Sequence, residues 1–203
     1  MLKKEADILS PFAEKPWAKA TFKEVMNSTK KTSESYVFGS LKRLVKEGIL
    51  KEERVGKAIL YSLNLEHGPA RAYAGMVKEH IAWHAKQLPL EDLNELAGKI
   101  QTSLFVFLVT GSYARNTQRE DSDIDIVVIA EDTKRVYAQL RFPSEMHIPP
   151  FHPYAFTPKE FLLMLADDKE NYGKEFARNN LIIYGADAYY RMLWEAIRHG
   201  FNG

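Results

Sequence analysis

Cysteine is absent from the 203 residues, which excludes a disulfide framework and any thiolate-bound metal. No apolar stretch approaches the roughly 20 residues of a membrane span. The amino terminus MLKKEADILSPFAEK carries acids where a signal peptide needs an unbroken apolar run. A soluble, cytoplasmic protein with no membrane partner is expected. Charge of one sign is also scarce: the formal net charge is +1, so any nucleic-acid contact has to come from local charge. Internal repeats and low-complexity segments are missing as well. What is present is 45% hydrophobic content, enough for the core of one large domain or two small ones.

The densest chemical signal lies in residues 103–130, SLFVFLVTGSYARNTQREDSDIDIVVIA. An apolar run ends in Gly111-Ser112, a polar stretch follows, and Asp123-Ile124-Asp125 opens a second apolar run. Residues two apart on a strand share a face, so Asp123 and Asp125 project together while Ile124 turns inward. Two carboxylates aimed at one point suit a hard divalent cation such as Mg²⁺, which keeps its other positions for water and phosphate oxygens. Gly111-Ser112, directly after a buried strand, offers a backbone without Cβ, free amides and a hydroxyl to a triphosphate.

The string GSYARNTQREDSDID resembles the G-S-x-A-x-G…S-D-x-D signature of the DNA polymerase β-like nucleotidyltransferases, particularly the minimal nucleotidyltransferases. The resemblance covers about residues 100 to 185. It implies that Gly111 and Ser112 hold the phosphates of a nucleoside triphosphate, most simply ATP, with Ser122 and Arg115 assisting, and that Asp123 and Asp125 bind Mg²⁺. Asn116 stands where the pattern has its second glycine, and asparagine tolerates positive φ. In the family a third carboxylate lies on a later strand, about five residues before a Ser/Thr-Pro-x-Glu helix start. Thr157-Pro158-Lys159-Glu160 is such a start, a capping box with proline at the first helical position. Counting back five residues reaches His152, whose neutral imidazole suits a general base and is a poor Mg²⁺ ligand. Glu145, seven residues earlier, fits only in a different register.

The first third has another character. Thr21-Phe22-Lys23-Glu24 is a capping box opening a short helix, and a second helix starts near Ser33 with Val37, Leu41, Leu44 and Val45 at helical spacing. Two β-prone stretches, residues 49–55 and 58–63, flank Gly56-Lys57 as a hairpin. Residues 21–63 therefore resemble the winged helix-turn-helix domains of transcription regulators, whose second helix enters the DNA major groove. From Lys30 to Lys57 eight basic residues stand against four acids, net +4 in a chain of net +1. Lys31, Ser35, Tyr36, Lys42, Arg43, Lys46, Arg54 and Lys57 are the candidate duplex-DNA contacts, with Ser33 and Ser40 as further polar positions on the second helix. The other reading of this unit is a protein-interaction or dimerisation module, and winged domains commonly form homodimers.

Residues 67–100 read as two helices broken at Pro89. His80 and His84, at i and i+4, read as a helix surface. Thr133 to Phe142 reads as a helix, Phe151 to Phe156 as a strand, Leu181 to Gly185 as a buried strand and Ala186 to His199 as a closing helix. Minimal nucleotidyltransferases often work with a helical HEPN partner bearing an Arg-x(4 to 6)-His motif. Arg191 and His199 have seven residues between them, so such a partner would be a separate polypeptide. The expected α+β architecture is a winged helix-turn-helix domain over residues 1–66, a helical connector over 67–100 and a mixed α/β polymerase-β-like nucleotidyltransferase domain over 101–203. The expected function is Mg²⁺-dependent transfer of a nucleoside monophosphate to an acceptor hydroxyl, coupled to DNA binding. The alternative is a DNA-binding regulator whose second domain only senses nucleotide.

Overall fold

The computed structural model describes residues 2–203. The chain opens with α1 (Leu2–Glu14), β1 (Lys19–Thr21), α2 (Phe22–Thr29), α3 (Glu34–Lys46), β2 (Leu50–Val55) and β3 (Ala58–Leu63). Local chemistry sets the helix starts: the Thr21 hydroxyl accepts from the Glu24 amide while the Glu24 carboxylate accepts from the Thr21 amide, and Ser33 caps α3 through the Tyr36 amide. Each such cap is worth about 1 kcal/mol. The three strands form an antiparallel sheet in the order β1-β3-β2.

Two helices follow, α4 (Gly68–Trp83) and α5 (Leu90–Gly98), separated at Pro89. Then come β4 (Val106–Val109), the single turn α6 (Gly111–Ala114), β5 (Ile124–Ile129), α7 (Thr133–Glu145), β6 (Phe151–Phe156), α8 (Pro158–Ala166), α9 (Tyr172–Arg178), β7 (Leu181–Tyr184) and α10 (Ala186–Arg198). These four strands make a mixed sheet in the order β6-β5-β4-β7, with β5 and β6 parallel and the other pairs antiparallel. Period-two alternation sorts its side chains into two layers. Phe107, Val109, Ile124, Ile126, Val128 and Phe151 meet α5 and α7 on one face. Val106, Leu108, Val127 and Ile129 meet α8, α9 and α10 on the other.

That second face belongs to a core that continues into the first unit, through Ala74 and Val77 of α4 to Phe12 of α1 and Leu41 of α3. The buried Tyr190 hydroxyl donates to the Ala13 carbonyl at 2.5 Å. Trp17 packs edge-on to Phe201 with ring centroids 5.3 Å apart.

Some details depart from the sequence reading. Helix α7 runs past Pro143 to Glu145 rather than stopping at Phe142. Ser40 is only 4% exposed, because it falls with Val37, Leu41 and Leu44 on the buried stripe of α3, so it faces the core and not a ligand. Helix α1 carries Pro11 in its interior, β1 has three residues and α9 has seven, and none of the three announces itself by periodicity. Among the described residues no helix is long and apolar enough to cross a membrane.

Candidate active site

Strand β4 is buried at every position and delivers the chain to Gly111. There the backbone turns with φ +68°, in the left-handed region that glycine alone enters without cost. The reason for glycine is specific: a Cβ at this position would lie 2.2 Å from Asp125 Oδ2. The turn and the carboxylate are therefore packed against each other. The Thr110 amide donates to the Asp125 carbonyl at 2.9 Å, and the Thr110 hydroxyl donates to the Asn179 carbonyl at 2.8 Å, which ties the end of β4 to β5 and to the end of α9.

The polar stretch after α6 is held by its own backbone. The Thr117 amide donates to the Ser112 carbonyl at 2.9 Å, and Asn116 takes φ +55°, the conformation the second glycine of the motif would take. The Arg119 amide donates to the Ser122 hydroxyl at 2.8 Å, so Ser122 shapes the turn into Asp123. Arg115 is exposed and pairs with Glu175 at 3.2 Å.

Asp123 immediately precedes β5 and Asp125 is its second residue. In the parallel β5–β6 register Asp125 stands beside His152, and His152 Nδ1 lies 3.9 Å from Asp123 Oδ2. The imidazole is thus brought to both carboxylates, as the spacing to the Thr157 capping box requires. That box is formed, with the Thr157 hydroxyl accepting from the Glu160 amide at 3.1 Å. Glu145 lies elsewhere: it is exposed at the end of α7, the helix covering the opposite face of the sheet, and pairs with Arg141 at 3.1 Å.

Burial holds the Asp125 carboxyl above its ordinary range; His152 opposes this, Asp123 and Glu175 add to it, and Arg115 opposes it. Two neighbouring carboxylates, one of them partly desolvated, form a strained anionic pair that a divalent cation relieves. Among the described residues no group of three or more His, Cys, Asp or Glu is placed to hold a metal by protein ligands alone. A set of two carboxylates fits Mg²⁺, which retains water and phosphate ligands, better than it fits a transition metal.

Helix α9 adds two residues that the sequence reading did not single out. Glu175 reaches Arg115, and the ring of Tyr172 packs at 5.0 Å from that of Tyr154. The Tyr172 hydroxyl is buried without a hydrogen-bond partner, and burial, with Asp125 next in importance, holds it well above the ordinary phenol range. Their sequence signal is Asn171, whose side chain accepts from the Lys174 amide at 3.1 Å as an N-cap.

In the first unit α3 exposes Ser35, Phe38, Lys42, Arg43 and Lys46, with Phe38 50% exposed; Tyr36 is half-buried. Arg54 and Lys57 are exposed on the β2–β3 hairpin. Several cations there already have acid partners: Lys42 with Glu52 at 2.8 Å, Lys51 with Glu66 at 2.8 Å and Lys31 with Asp7. His80 and His84 stack at 4.1 Å, with His84 Nδ1 2.8 Å from the His80 carbonyl.

Residues 90–177 match the family model of the nucleotidyltransferase domain. The match begins at α5, the helix whose Leu93 and Leu96 pack on the sheet, and ends inside α9. It supports nucleotidyl transfer in general for this part of the chain. No curated protein and no solved structure matches the chain.

Proposed function

We propose that residues of β4, β5 and β6 transfer a nucleoside monophosphate from a triphosphate, ATP in the simplest case, to an acceptor hydroxyl. The observation that carries this reading is the contact between Gly111 and the Asp125 carboxylate, which joins the motif's phosphate turn and acid pair in one place. Gly111, Ser112 and Arg115 bind the β and γ phosphates. For Arg115 this means exchanging Glu175 for a phosphate, a stronger charge-assisted partner. Asp123 and Asp125 hold Mg²⁺, which when bound neutralises phosphate charge and orients the α-phosphorus. His152 takes the proton of the acceptor hydroxyl as its oxygen bonds to the α-phosphorus; the bond from that phosphorus to the bridging oxygen breaks and pyrophosphate leaves. His152→Ala is then expected to lower turnover by about 10²- to 10⁴-fold without weakening Mg·ATP binding. Pyrophosphate release from ATP with candidate acceptors, read beside calorimetric affinity, checks it. Equal losses in both would make His152 a binding residue.

For the first unit we infer a winged helix in which α3 and the hairpin approach duplex DNA. Support comes from the helix–helix–hairpin order and from the exposure of Ser35, Lys42, Arg43 and Lys46 on α3. Replacing Lys42, Arg43 and Lys46 by alanine is expected to weaken duplex binding and flatten its salt dependence by about 0.9 in log–log slope for each phosphate no longer neutralised. Nucleotide affinity should not change. Absence of duplex binding by the unmodified protein at low salt would favour an interaction or dimerisation module, for which Phe38 and the exposed Val55 and Ile59 offer apolar contact. If nucleotide alters duplex affinity and no pyrophosphate is released, the sensor reading replaces the enzyme.

A further inference from the structure

We propose that the outer edge of β6 receives an extended polypeptide segment of another protein, one that carries acidic side chains at alternate positions. The two ends of the mixed sheet are finished differently. Beside β7, helix α4 takes up the free carbonyls: the Trp83 indole donates to Ile183 at 3.0 Å and the Lys78 ammonium to Asn180 at 2.8 Å. Strand β6 has no such cover.

The pairing with β5 shows which groups are free. The Ile124 amide donates to the Pro150 carbonyl and the Ala130 amide to the Phe156 carbonyl, both at 3.0 Å, so the even-numbered residues of β6 turn their backbone groups toward β5. Phe151, Pro153 and Ala155 turn theirs outward, and among the described residues nothing bonds to them. The row offers the carbonyls of all three and the amides of Phe151 and Ala155, since Pro153 has no N–H. Such a row is a template for one more strand.

Pro153 decides between occupants. Wherever the two-fold axis falls, pairing β6 with its own copy brings in the proline twice and loses two ladder bonds. A foreign strand without proline loses one. The edge is therefore poorly suited to a second copy and better suited to another chain.

Side chains of an added strand alternate between the faces of the sheet. One set stands in line with His152 and Tyr154, on the carboxylate face. The other set points to the opposite face, where a cavity of about 360 Å³ separates Pro153 and Ala155 from Tyr137 and Lys134 of α7. Lys134 is exposed and is the one charged side chain among the described lining residues, which makes acidic side chains the complement on that face. Docking here stands independently of what the carboxylates do.

The probe is a capped heptapeptide in which glutamate alternates with threonine, compared with its lysine counterpart by calorimetric titration into the unmodified protein, Lys134→Glu and Ala155→Pro. The unmodified protein is expected to bind the glutamate peptide and to prefer it, and Lys134→Glu to reverse the preference. Ala155→Pro, which removes one outward amide, is expected to weaken binding about 2- to 10-fold, with its melting curve as the check on folding. N-methylation of one alternate set of peptide amides should abolish binding while the other set tolerates it, because only one set faces the edge. No binding of the glutamate peptide, equal sensitivity of the two amide sets, or an unchanged preference in Lys134→Glu overturns the proposal. So does a dimer that the unmodified protein forms and Ala155→Pro does not, which would give the edge to a second copy.

Discussion

Replacing Asp123 and Asp125 together by asparagine is expected to abolish Mg²⁺-dependent triphosphate binding while the protein stays folded. Changing a residue that only supports a metal ligand typically costs 10- to 100-fold in affinity, so losing two proposed ligands should exceed about 100-fold. Stability should move the other way. The folded-state carboxyl of Asp125 is held above its ordinary range, chiefly by burial. Its ionised form therefore opposes folding at neutral pH, and that opposition fades as pH falls through the raised value. The double variant should accordingly melt higher than the unmodified protein at pH 7, with the advantage shrinking in acid. Calorimetric titration with Mg·ATP and melting curves at two pH values check both halves. An affinity like that of the unmodified protein would remove the metal assignment.

A second large effect is expected at Lys78. Its side chain is 6% exposed and donates to the Asn180 carbonyl at 2.8 Å, and burial pushes its ammonium down to about 8, against a weaker upward pull from Glu14. Between that value and the unfolded value of 10.5 the unfolded chain binds the extra proton. Stability therefore rises with pH over this window. Tyr189 and Tyr190, whose phenols burial holds above their ordinary range, reverse the trend above about 10, where unfolded phenols ionise. From pH 8 to 10 a gain of about 2 to 3 kcal/mol is expected. Lys78→Met should remove this slope, while at pH 7.5 its relief of a buried charge roughly offsets the unpaired carbonyl, which costs about 1 to 3 kcal/mol. Urea midpoints at three pH values decide it. If both proteins give the same slope, Lys78 is not its source.

Features written in short-range chemistry were legible before the fold was known. Thr157-Pro158 closes β6, and Ser33 and the two capping-box threonines mark helix starts whose caps form as expected. Asn116 is another instance, since its positive φ follows from its place in the motif. What escaped depends on partners distant in the chain. Strand β1 exists only because Lys19 to Thr21 pair with Leu60 to Ser62, and no propensity in three residues foretells that. Ser40 looked like a ligand-facing hydroxyl by residue type, yet helical phase put it inside. Tyr172 and Glu175 come to act on Asp125 only because α9, later in the chain, packs against Tyr154 of β6 and pairs with Arg115. The spacing argument led to His152, but it had no means of finding residues from a later helix.

The core shared by α1, α3, α4 and α10 has a practical and a mechanical consequence. A cut between the first unit and the sheet would strip Phe12 and Leu41 from one fragment and Val77, Tyr190 and Leu193 from the other, leaving each with a raw apolar wound. Truncated chains would then report aggregation rather than function, and assigning activities to the two ends of the chain calls for point substitutions in the intact molecule. Mechanically, the two ends are joined like welded plates and not by a swivel. An event at the carboxylates therefore reaches the face of α3 through packed helices rather than through a hinge, and any coupling between them has to be read as a change in duplex affinity of the intact chain.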